Sequence, residues 1–365
     1  MAGKSTRGRV ACAAALTAVA MLAGGCSSGI GDTTASSIEN NLPTGYGAPE
    51  KTTLNVGVVP AMDSAGFFVA MSLGLFAKEG LTIHYTPAVS SESAVTQQLA
   101  GSLDISAGNY VSYIDEAAAG KPIELISEGS IMQPGAQVIY TMPGSKIRTL
   151  KGLKGQLLGV NAPLNIDYLL DVSVLAENGI TANDVKFPTA RDAVAAPYGG
   201  QIPFPFMAGA LEKRQIAAAT LPEPFASEAE QDDGAVPLVD LDQGATSNFP
   251  IEGYVVTKTW AEQNPNTLRR FLAALSVGQE IADTDRAAVE TAFETLKGPQ
   301  DGQVSPTIAA VMALDTYPIG IDQSRIQRVA DVMYQFGLLK TKYQVANMLL
   351  SSSFFNFAQF SSAGS

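Results

Sequence analysis

The polar side chains best suited to grip a small molecule fall where the strands of this chain should end. Met62-Asp63-Ser64 follow the apolar run Leu54–Pro60, with Phe67 at the start of the helix beyond them. Ser90 and Ser91 open the next helix, and Asn109-Tyr110 follow the next strand. Asn161, Pro163, Asn165 and Tyr168 occupy the corresponding position later in the chain, while Glu128, Gly129 and Glu223 lie near the expected crossings between its halves. These residues accept, donate and stack, which is the chemistry of recognition. A helix start such as Ser91 also offers free backbone amides to an anionic group, although capping of the helix by Ser90 and Ser91 explains the same pair. Catalysis has little to work with. The sole histidine, His84, sits in a strand between Ile83 and Tyr85, so no Ser-His or Cys-His pair is available elsewhere. Gly25-Cys26-Ser27-Ser28-Gly29 spells a nucleophile elbow, but outside any strand-turn-helix. There is no Walker A sequence, zinc-ligand spacing or dinucleotide fingerprint. The expectation is a binding protein, not an enzyme, with no cofactor and no metal.

The positioning elements alternate. Leu54–Pro60 reads as a buried strand, 67–76 as an apolar helix stopping near Gly74, 81–85 as a second strand, 91–100 as a helix ended by Gly101, and 103–106 as a third strand. Such alternation favours a parallel sheet with its loops gathered at one end. Two strand-like runs follow, 122–127 and 137–141, the second of which reads as a crossing strand leaving the first lobe. A new unit then begins: strand 157–160, helix 167–177, strand 184–187. A helix at 207–212 leads through a short strand to Glu223, and Ile251–Thr257 reads as the strand returning to the first lobe. From Trp260 to about Phe357 the pattern is mostly helical.

Ala70 with Gly74-Leu75-Phe76, then Glu79-Gly80-Leu81, then Leu99 with Gly101 and Leu103-Asp104-Ile105, resemble the opening lobe of the solute-binding proteins of the nitrate, sulfonate, taurine and thiamine-precursor import family. The lysine-glycine lead-in at Lys151–Gly155 and Asn161 after the next strand resemble the start of its second lobe. The resemblance implies an α/β, type II periplasmic-binding-protein fold, with two lobes, a hinge and an interlobe ligand cleft. On that plan residues 52–141 form the first part of lobe 1, 142–252 form lobe 2, and 253–365 return to lobe 1 and its C-terminal helices. It also implies delivery of the solute to an ABC permease and ATPase by a monomeric binding protein. Around Glu223-Pro224-Phe225 the match loosens: Arg214 and Ala217 replace a usual glycine and aspartate, and 197–206 is long and proline-rich. Fungal pyrimidine synthases share this resemblance, but their cysteine-rich motif and histidines have no counterpart here.

Lys4, Arg7 and Arg9 precede a short apolar run that ends in Leu22-Ala23-Gly24-Gly25-Cys26. This reads as a signal peptide over 1–25, similar to a bacterial lipobox, that leaves Cys26 to be lipidated on the outer face of the cytoplasmic membrane. Residues 26–51 read as a flexible tether, and 361–365 as a frayed end. Cys12 is the only other cysteine, so the mature chain has no pair for a disulfide. Loss of the leader reduces 23 basic residues to 20 against 35 acidic ones, a net charge of about −15 that argues against nucleic acid.

The expected loops present Asp63, Glu128 and Glu223, with no lysine or arginine nearer than Arg191. An anion in a dry cleft needs a cation or several amides. The balance tilts toward a neutral or cationic, heteroaromatic solute such as a pyrimidine, with a sulfonate, taurine or nitrate held by helix-start amides still open. The other class of function is a surface lipoprotein that binds a protein and transports no solute.

Overall fold

The computed structural model describes residues 46–351. The leader, Cys26, the tether as far as residue 45 and the serine-rich end lie outside the described residues.

The first sheet has the order β2-β1-β3-β9-β4, from β1 (Thr53–Val58), β2 (Thr82–Pro87), β3 (Ile105–Asn109), β4 (Ile123–Ile131) and β9 (Pro250–Thr257). β1 runs parallel to β2 and β3, whereas β9 is antiparallel to both β3 and β4. This is the parallel three-strand unit expected from the alternation, with the returning strand inserted beside it. Helices α1 (Ala65–Ser72), α2 (Leu75–Lys78), α3 (Ser91–Leu99) and α4 (Tyr110–Ala118) connect its strands. Leu54, Val56 and Val58 on β1 are fully buried against Phe67, Phe68 and Phe76, and Phe76 stacks on Phe271 at 5.1 Å. Phe271 belongs to α9 (Pro265–Thr284), which approaches α1 so closely that a Cβ on Gly278 would collide with the Gly66 carbonyl. Glycine is the residue that permits this backbone contact.

The second sheet, β6-β7-β5-β8, combines β5 (Gln137–Thr141), β6 (Leu158–Gly159), β7 (Ala218–Pro222) and β8 (Val236–Asp240). β5 is antiparallel to both β7 and β8, and every one of its side chains is buried. Residues 137–141, expected at the end of lobe 1, thus lie centrally in the other sheet, because an apolar run with two bonded neighbours is most stable inside a sheet. The chain changes sheets between Ile131 and Gln137 and returns between Asp240 and Pro250. These two crossings touch where the Met132 amide donates to the Phe249 carbonyl (2.9 Å). Around the sheet pack α5 (Ile166–Glu177), α6 (Phe204–Glu212) and α7 (Phe225–Gln231). The strand expected over 184–187 reduces to a single parallel bridge between Leu157 and Lys186, since Thr181 and Asp184 close a turn just before it.

The remaining helices are α8 (Lys258–Gln263), α9, α10 (Arg286–Glu294), α11 (Pro306–Val311) and α12 (Gln323–Gln335). The chain is docked from Tyr46, earlier than the tether boundary at 51. Glu50 accepts from the amides of Asn266 and Thr267 at the start of α9, Arg270 donates to the carbonyls of Tyr46 and Gly47, and Lys51 pairs with Asp104. A carboxylate on a helix N-terminus satisfies amides that the helix leaves open. No described helix is long and apolar enough to cross a membrane.

Candidate functional site

The loop after β1 reaches the second sheet. The Met62 amide donates to the Glu223 carbonyl (2.8 Å), and the Met62 carbonyl accepts from the Tyr317 hydroxyl (3.0 Å). From the other side Asn161 Nδ2 donates to the Val89 carbonyl (3.0 Å). The two sheets are therefore bridged by backbone and amide groups at the ends of β1, β2, β6 and β7, where the sequence placed its candidates.

Several candidates spend their polarity on holding these loops. Ser90 caps α3 through the Ser93 amide, the capping alternative weighed above. Ser91 Oγ accepts both the amide and Nδ2 of Asn109, each at 2.9 Å, and Asn109 Oδ1 in turn caps α4 at Ser112 (3.0 Å). Asn165 caps α5 at Tyr168. Glu223 is buried, with its carboxylate taking the Ser227 amide and hydroxyl and the Ala313 amide.

Other candidates are placed by their packing. Phe67 is wholly buried in the first core, against Phe68, Phe76 and Tyr85, as an aromatic at a helix start with apolar neighbours tends to be. Glu128 turns to α12, where it accepts from Arg325 Nε (3.0 Å), so its charge is already matched. Gly129 makes room for the neighbouring strand, since a Cβ there would stand 3.0 Å from Glu252 Cγ. Tyr110 is fully buried in the core with Ile123, Leu125 and Val255, Pro163 is exposed, and Tyr168 packs edge-on against Phe187 at 4.7 Å.

What converges instead is carboxyl groups. Asp63 lies against the side chains of Asp315 and Gln137, and burial pushes its pKa up to about 6. Burial and the charge of Asp63 drive Asp315 well above the usual range, so this pair of carboxyls holds a proton. Glu252, buried on β9 and bonded by Ser64 Oγ (2.5 Å), is raised by burial and then by Asp63. From the first turn of α5, beside the second sheet, Asp167 accepts from the Asn161 amide (3.0 Å); burial raises it to about 7, with smaller contributions from Asp63 and Glu92. One turn on, Asp171 takes the Thr220 hydroxyl (2.8 Å) and is raised well above its ordinary value, mainly by burial. Among the described residues no group of three or more His, Cys, Asp or Glu could hold a metal ion.

Glu92, Gln137, Asp167, Glu252 and Asp315 were not among the residues singled out by sequence. Asp167 and Glu92 carried a signal, being acids in the first turn of a helix whose cap was recognised. Asp315 carried none, because 252 positions separate it from Asp63. The proline-rich segment that exceeded the family pattern lines an interlobe cavity of about 170 Å³, with Phe204 and Phe206 across from Val59, Pro60, Val89 and Phe225.

Residues 47–296, more than half of the chain, match the model of the NMT1-like family. The chain belongs to the NMT1-like family. No curated protein matches it. Solved structures with the same fold include the alkanesulfonate-binding protein SsuA from Xanthomonas axonopodis pv. citri bound to MOPS (TM-score 0.67, 17% identity, 83% of this chain and 99% of that one). The nitrate-binding protein NrtA from Synechocystis PCC 6803 is similar at a TM-score of 0.64 and 13% identity, over 82% of this chain and 85% of that one. The desulfurization enzyme DSZB also shares the fold (TM-score 0.61, 16% identity, 83% and 98% coverage). The two lobes of this NMT1-like protein thus form the periplasmic-binding-protein fold expected from its sequence.

Proposed function

We propose that this protein is the extracytoplasmic solute-binding component of an ABC importer. It captures one small molecule between its lobes and delivers it to a membrane permease driven by an ATPase. The observation that carries this reading is the meeting of polar loops from both sheets, at Met62 with Glu223 and Asn161 with Val89, around buried carboxyl groups. Loops at the ends of strands from two sheets joined by two crossings are the arrangement that closes on a ligand. Binding proteins for alkanesulfonate and nitrate share the fold and support the same class of role.

Lipidation at Cys26 would hold the protein near its permease, and the single lobe pair would act as a monomer. DSZB keeps an enzymatic alternative in view, but His84 is exposed on an edge strand away from the carboxyl cluster, and the described residues contain no cysteine. The test is thermal unfolding of the soluble body against nitrate, taurine, alkanesulfonates, pyrimidine precursors and amino acids. A ligand at a hundred times its dissociation constant adds about 2.7 kcal/mol. A flat panel, with capture of a partner protein instead, would favour the surface-lipoprotein reading.

A further inference from the structure

The charge that faces the cleft points away from the anions bound by its structural neighbours. We propose that the solute is an organic cation, an amine or protonated amino-heterocycle that donates N–H groups to Asp63, Asp167, Glu92 and Gln137. This proposal rests on the solute-capture reading and names the class of solute.

Two independent observations carry it. The first is charge. Asp63 and Glu92 from the first lobe both lie near enough to Asp167 of the second to raise it, and Asp315 closes the group from the C-terminal segment against Asp63. Among the described residues no cation contributes to the shifts of Asp63, Asp167 or Asp315, and four basic residues of the body are paired elsewhere: Lys51 with Asp104, Arg270 with Glu79, Arg286 with Glu290, and Arg325 with Glu128. An anion entering here would meet carboxyl groups with no cation to offset them.

The second observation is hydrogen-bond capacity. Gln137 is 1% exposed, its amide lies against Asp63, and its Oε1 has no partner. Glu92 Oε2 is likewise buried and unpartnered. A neutral amide oxygen and a carboxylate oxygen are both acceptors, and buried acceptors are costly to leave unmet. A ligand rich in N–H donors supplies what they lack, and an anion such as nitrate, which brings only acceptors, does not. Farther along the same β1 loop, at Val59 and Pro60, the interlobe cavity walled by Phe204, Phe206 and Phe225 offers apolar surface to a carbon skeleton.

The test is calorimetric titration at pH 7.5 with probes matched in skeleton and opposite in charge: butylammonium, putrescine and 4-aminopyridinium against butanesulfonate and nitrate. Measurable binding of at least one cationic probe, with at least tenfold weaker binding of every anion, is the expected result. The Asp63→Asn and Asp167→Asn variants should weaken that cation at least tenfold while remaining folded by circular dichroism. Anions that bind while all cations fail would overturn the charge assignment and leave solute capture standing. Failure of every cation and every anion would overturn both.

Discussion

Replacing Asp167 by Asn should stabilise the unliganded protein in alkaline solution and leave it nearly unchanged in acid. Asp167 is 1% exposed, and burial raises its pKa from 3.8 to about 7. Between those values the folded chain holds a proton that the unfolded chain has released, so stability falls as pH rises and the full penalty is present above about 7. At 1.36 kcal/mol per unit the penalty is about 4 kcal/mol. Asparagine keeps an oxygen for the Asn161 amide but weakens a charge-assisted bond, a loss of about 1 kcal/mol. The net gain at pH 8 is about 3 kcal/mol, which at roughly 2 °C per kcal/mol for a body of this size raises the melting temperature by about 6 °C. At pH 4 the gain vanishes, because the folded carboxyl is protonated and the unfolded one, near its pKa of 3.8, is only about half ionised, which leaves a penalty below about 1 kcal/mol. Melting curves by circular dichroism at pH 4 and pH 8 decide the matter. An equal shift at both pH values, or destabilisation at pH 8, would refute the burial of an ionising carboxyl at this position.

The wild-type protein itself should lose stability from about pH 4 to pH 7, as the unfolded chain releases protons that Asp63 (about 6), Asp167 (about 7) and Glu228 (about 7) retain in the fold, and level off above that; a melting profile rising over that range would contradict these shifts. Arg325→Ala strips the partner from fully buried Glu128 and should cost about 2 kcal/mol in urea denaturation, below the range for a wholly buried pair because Arg325 is 31% exposed. Asn161→Ala removes the bond to the Val89 carbonyl across the lobes and should disfavour the closed form by about 1 kcal/mol, roughly fivefold in population, seen as a larger radius of gyration by small-angle scattering.

Local signals in the sequence carried the fold a long way. Ser90, Asn109 and Asn165 each stand one residue before a helix and each caps it, and Gly74 and Gly101 adopt the left-handed backbone that ends a turn. The alternation of strand and helix read as a parallel unit is β2-β1-β3. Less local facts were not legible. An apolar pentapeptide such as 137–141 looks the same in either lobe, and only its partners β7 and β8 decide where it sits. The position of Glu128 near a crossing suggests a hinge residue, and nothing adjacent in sequence shows that its cation is Arg325, 197 positions away. The acidic tilt of the site was legible from Asp63, but the carboxyl that shares its environment, Asp315, comes from a segment with no pattern of its own. Long-range polar pairing sets the chemistry of this cleft, and a single sequence does not encode it locally.

Closure of the lobes around a solute is the central claim, and a distance measures it. The described residues contain no cysteine, so spin labels can be placed at His84→Cys on the edge of the first sheet and Lys213→Cys beyond α6, both exposed. Double electron–electron resonance should find a broad distribution in the free protein that narrows to its shorter component when the strongest binder from the solute panel saturates it. A distribution unchanged at saturation would contradict capture between the lobes.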